Sequence, residues 1–167
     1  MNENAAPEPD KDRAPCPECG ALVGGREACQ ALYTEISLGA YNFAQFAGMR
    51  DLAFDAYCMQ HLDPYCLSAK SYAAHLTRLC CGLEYAGQPR VYSAIQAWLN
   101  GSIPLEKPAA PDRRGTITIA DLGQPGSDIN AQIIQQWAEN VWDAYKAQHS
   151  LAHQWIQAAL RSYERKR

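Results

Sequence analysis

Apolar and polar residues alternate with a helical period over most of the chain. Ala28, Leu32, Ile36 and Ala40 recur at spacing four and predict a helix over about 27–40. The aromatic stretch Tyr41 to Gly48 either continues it or turns. Leu52, Ala56 and Met59, with Tyr57 and His61 on inward faces, predict a second helix over 49–62, broken by Asp63-Pro64. Ser68 suits the N-cap of a third helix, 69–86, whose stripe is Tyr72, Leu76, Leu79, Cys80 and Leu83. Gly87 fits its C-terminal cap, and Pro89 opens a fourth helix that reaches about Leu99. A last helical run starts at Ser127 or Asp128 and carries Ile134, Trp137, Val141, Trp142, Tyr145, Ala152, Ile156 and Leu160 on one face. At about 40 residues it exceeds the usual globular length, so a bend is expected.

Two stretches lack this period. Residues 1–15 are polar and proline-rich and read as a disordered tail. Residues 101–127 hold four prolines and four glycines and form a long connection. Inside it Thr116-Ile-Thr-Ile-Ala120 alternates with period two, as a short strand or an extended surface segment would. The expected fold is mainly α. One helical domain, 16–167, forms an irregular bundle of about five helices, with a zinc-knuckle loop at 16–30 and a long C-terminal helix.

Composition narrows the function. The 167 residues are 47% hydrophobic and 20% charged, the balance of a chain that buries a sizeable core. The apolar faces from residue 69 onward are enough to hold that part together without metal. A net charge of -3 argues against nucleic-acid binding by global charge. No apolar run approaches the roughly 20 residues that span a bilayer, so no membrane association is expected. The start has neither a basic region nor an apolar stretch, so a cytoplasmic location is expected.

The chemistry lies in the cysteines. Seven is an odd number, which argues against a complete disulfide framework and for metal ligands or buried thiols. Cys16-Pro-Glu-Cys19-Gly20 has zinc-knuckle spacing: two thiolates three residues apart grip one ion, and the glycine lets backbone amides turn toward the sulfurs. Four-coordinate zinc needs two more ligands, and no second CxxC exists. Cys29 is the nearest third thiol. His61, in Asp55-Ala-Tyr-Cys-Met-Gln-His61, completes a Cys3His set, with Cys58 and Cys66 as rival fourth ligands. Cys80 lies on a core stripe, and adjacent cysteines such as Cys80 and Cys81 rarely chelate one ion well.

His149 and His153 stand four apart on one helix face and, with His75 or Asp55 as a third ligand, make an alternative metal site able to activate water. Packing beside Trp142 and Tyr145 accounts for both histidines without metal. Tyr57, Tyr65, Tyr72, Tyr85 and Tyr92 are core or rim residues, or the lining of a pocket. There is no phosphate-binding glycine loop, HExxH pattern or catalytic triad.

The sequence resembles an uncharacterised bacterial family known as a domain of unknown function. The residues that carry the resemblance are Cys16-Pro-Glu-Cys19-Gly20, Cys29, the Asp55–His61 segment, Ser71 to Leu79, and Val141-Trp142-Asp-Ala144-Tyr145 with His149 and Trp155, over about 14–160. The resemblance implies an intact domain and a metal site but no reaction. The helix count is also similar to the DinB-like metal-binding four-helix bundles, whose pattern has no N-terminal CxxC. Three function classes follow. The first is a zinc-stabilised scaffold or interaction domain without catalysis, engaging a protein partner. The second is a hydrolase- or transferase-like metalloenzyme in a helical bundle. The third is a small-molecule-binding accessory protein.

Overall fold

A computed structural model describes residues 14–39, 48–123 and 129–165. The expected tail up to residue 13, the 41–47 stretch and the proposed caps Ser127 and Asp128 lie outside these residues. Among the described residues the helices are α1 (Arg26–Gly39), α2 (Met49–Gln60), the single turn α3 (Leu62–Tyr65), α4 (Ala69–Glu84), α5 (Pro89–Leu99), α6 (Ala131–Ala144) and α7 (His149–Glu164). The irregular helical bundle expected from periodicity is present, with its elements divided more finely.

Each added division has a local cause. His61 leaves the helical region at φ -123°, ψ 70°, which ends α2. The chain then re-enters a helical turn in which Pro64 sits early enough to need no amide hydrogen bond. The C-terminal run bends between α6 and α7 through a tight turn, Lys146–Gln148. Tyr145 anchors that bend, its hydroxyl donating to the Met59 carbonyl oxygen. Asn130 caps α6 by accepting from the Ile133 amide, so this helix starts later than its apolar pattern suggests.

The other caps follow the sequence. Ser68 accepts from the Ser71 amide at 3.0 Å, and the Ser71 hydroxyl accepts from the Ser68 amide at 3.0 Å, a reciprocal capping box. Ser68→Ala should therefore lower stability by about 1 kcal/mol, seen as a lower urea midpoint at unchanged slope. Beyond Glu84 the Gly87 amide, at φ +62°, reaches back to the Cys81 carbonyl at 3.0 Å and closes the helix end.

Helix α4 is central and touches α2, α5, α6 and α7. It accordingly buries Ala73, Thr77 and Cys81 as well as Tyr72, Leu76, Leu79 and Cys80 of its expected stripe, while Leu83 is only partly buried. The core is aromatic-rich: Trp137, Tyr57, Tyr72 and Tyr145 are fully buried. A buried carboxylate, Asp55, lies between α2 and α4, where His75 Nδ1 at 2.8 Å and Arg78 Nε at 3.0 Å bond it. Burial raises its affinity for a proton, and these two partners oppose that.

The connection after α5 is an extended strap rather than a strand. Thr116 and Ile117 direct both amides to Asn140 Oδ1, at 2.7 and 2.9 Å, so a side chain takes the place of a neighbouring strand. Gln60 Nε2 donates to the carbonyls of Arg114 at 2.9 Å and Ile117 at 2.8 Å, while Gln60 Oε1 accepts from Trp137 Nε1 at 3.0 Å. Gly115, at φ +100°, lies so close that a Cβ would stand 2.7 Å from Asn140 Oδ1. The strap then turns inward at Ile119–Leu122, capped by Thr118 and Asp121, and meets α1.

Candidate metal centre

The Cys16-Pro-Glu-Cys19 turn is held by its own backbone. The Gly20 amide donates to the Cys16 carbonyl at 2.9 Å and the Cys16 amide to the Ala21 carbonyl at 2.8 Å. Gly20 adopts φ +81°, which a side chain would strain. The element begins at Ala14, earlier than expected. The Ala14 carbonyl accepts from the Gly24 and Gly25 amides, and Pro15 pairs with Leu22. This hairpin leads into α1, whose first turn buries Cys29.

His61 reaches the hairpin from the end of α2. The backbone leaves the helix there, and the ring Nε2 lies against the thiols of Cys16 and Cys29. The ring stacks on Tyr57 at 4.0 Å, and Tyr57 stacks on Tyr33 of α1 at 3.9 Å. His61 Nδ1–H donates to the Tyr57 carbonyl at 2.8 Å, which leaves Nε2 as the acceptor atom facing the cysteines.

The donor atoms of Cys16, Cys19, Cys29 and His61 all lie within 4.8 Å of one another. Cys19 Sγ to Cys29 Sγ is 3.7 Å, Cys16 Sγ to His61 Nε2 is 3.7 Å and Cys29 Sγ to His61 Nε2 is 3.3 Å. A tetrahedral zinc site has sulfur–sulfur edges of about 3.8 Å and sulfur–nitrogen edges of about 3.5 Å, from bonds near 2.3 and 2.0 Å. The four residues thus have the donor chemistry and the spacing to hold a metal ion. Cys16, Cys29 and His61 are buried and Cys19 is half-buried.

Crowding shapes the proton affinities. The hydrogen bond from Cys29 holds the Cys19 thiol down at about 4, and the same contact raises Cys29. The contact therefore favours a thiolate at Cys19 and a thiol at Cys29.

Charged groups that the sequence reading did not single out fasten the hairpin. Glu18, between the two knuckle cysteines, accepts from the Asp63 amide at 2.9 Å, and Arg26 bonds Asp63 at 2.9 Å. Arg114 of the strap lies 3.6 Å from Glu18. Only the position of Glu18 inside the CxxC could have marked it. A cleft of about 290 Å³ between this hairpin and residues 112–116 borders Cys16 and Cys19.

The remaining candidates lie elsewhere. Cys66 Sγ points to the Cys58 carbonyl, and burial raises both thiols, Cys66 to about 12. His75 is paired with Asp55. His149 stacks on Trp142 at 3.8 Å and its Nε2–H donates to the Trp142 carbonyl. His153 instead meets Glu84, close to Cys80. His149, His153 and His75 do not converge on one point among the described residues.

No curated protein and no solved structure matches the chain. Residues 14–146 match a family model, from the hairpin through α6 to the bend and short of α7. The chain belongs to DUF5946, a family of unknown function.

Proposed function

We propose that the chain is a zinc-stabilised helical scaffold, an interaction domain without catalysis of its own, in which Cys16, Cys19, Cys29 and His61 hold one zinc ion. The carrying observation is the orientation of His61, whose Nδ1–H is committed to the Tyr57 carbonyl while Nε2 faces three thiols. Four protein donors fill a tetrahedral shell and leave no position for water, the arrangement of structural rather than catalytic zinc. When bound, the ion supplies a cross-link between the hairpin, α1 and the end of α2. All seven cysteines are free thiols, which a reducing compartment keeps, and this supports a cytoplasmic location. Among the described residues no helix is long and apolar enough to cross a membrane.

X-ray absorption on untagged protein should show one zinc at this site, with about three sulfurs near 2.3 Å and one nitrogen near 2.0 Å. Serine at Cys16, Cys19 or Cys29 should release the ion, His61→Ala should weaken its binding, and His149→Gln should leave it in place. A shell poor in sulfur, or full zinc retention in all three serine variants, refutes the reading.

A further inference from the structure

A second group of metal-type ligands lies on the far side of α4. Cys80 and Glu84 are one helical turn apart on α4, so they share a face. His153 of α7 approaches that face, and the donor atoms of the three residues lie within 4.8 Å of one another. Cys80 is fully buried, Glu84 is exposed and His153 is half-buried, so the group opens to solvent at one side.

We propose that Cys80, Glu84 and His153 form a second, open site for a borderline-soft divalent ion of the zinc class. Thiolate, imidazole and carboxylate are the three ligand types such ions take, and two anionic ligands match a divalent charge. The carboxylate is already oriented from outside, because Trp142 Nε1–H donates to Glu84 Oε1 at 2.8 Å. His153 Nε2–H donates to Glu84 Oε2 at 2.5 Å. An ion entering between them displaces that proton and the Cys80 proton. The two solvent-facing side chains then separate to about 3.3 Å, the edge of a tetrahedron with bonds near 2.0 Å. Three protein ligands leave a position for water or an outside ligand, which the Cys3His set does not. The site does not depend on the hairpin being metallated.

The test is cobalt(II) added to the full chain already holding one equivalent of zinc and no more, with both metals counted per chain. The expected result is one zinc retained and about one cobalt bound, with a thiolate-to-cobalt charge-transfer band. Cys80→Ser should abolish the band. His153→Gln and Glu84→Gln, at solvent-facing positions that leave the core intact, should each weaken cobalt binding at least tenfold. Cobalt that displaces zinc one for one, no cobalt uptake, or uptake indifferent to both surface variants would overturn the proposal. Cobalt at this site in a chain that retains no zinc would instead overturn the Cys3His reading alone.

Discussion

Chelating the proposed zinc from the intact chain will raise amide exchange across the 14–25 hairpin and α1 at least a hundredfold, while α4 and α6 keep their protection. A hundredfold corresponds to about 2.7 kcal/mol of local opening free energy. Helix α1 has 14 residues, near the length at which an isolated helix is marginal in water. It fully buries only Cys29 and Ile36, and one of these is a candidate ligand. Its other ties among the described residues include partly buried Leu32, the Tyr33–Tyr57 stack, the exposed Arg26–Asp63 pair and contact with the Ile119–Leu122 turn. Exposed ion pairs contribute little. By contrast α4 buries seven residues and has neighbours on four sides. Helix α2, through Leu52, Ala53 and Ala56, belongs with that second group. The loss should stop before α2, a narrower region than the whole stretch ahead of residue 69. Uniform loss of protection, or none in α1, would contradict this.

Gln60→Leu will lower stability by about 2–4 kcal/mol and leave zinc stoichiometry unchanged. Leucine fills similar volume but removes three hydrogen bonds. Trp137 Nε1–H is then buried without an acceptor, at a cost of about 1–3 kcal/mol, and the Arg114 and Ile117 carbonyls lose their donor. For a chain of this size the expected drop in melting temperature is roughly 4–16 °C. Zinc per chain measured on the same sample separates this role from that of His61 next door. A melting temperature within 2 °C of wild type, or loss of zinc, would show that Gln60 does not hold the strap.

What the sequence made legible was mostly local. Helix existence followed from period, and Ser68, Gly87 and Pro89 marked ends because capping acts over a few residues. The knuckle was legible because the CxxC spacing is itself the geometry. The fourth donor stayed open between His61, Cys58 and Cys66 because the choice depends on where a hairpin 45 residues away docks. The bend at Tyr145 carries no proline or glycine, and its anchor is 86 residues away on Met59. The polar ties of the strap were equally hidden: Gln60 meets residues 54, 57 and 77 positions distant. Cys80 read as a core residue, which it is by burial, while its neighbour His153 comes from a helix far along the chain.

The spacing of the four candidate ligands also bears on the unfolded chain. Cys19 and Cys29 are ten residues apart, and Cys29 and His61 are 32 apart. Closing the longer loop costs only about 1 kcal/mol more than closing the shorter one. A disordered chain can therefore gather the three thiolates on an ion before any core exists. Ion held by the unfolded ensemble stabilises both sides of the folding equilibrium. The increment in folding free energy from metal then falls well below the total affinity of the site. That increment is set by what folding adds: the fixed orientation of His61, the Tyr57 and Tyr33 rings beneath it, and exclusion of water from three of the four donors.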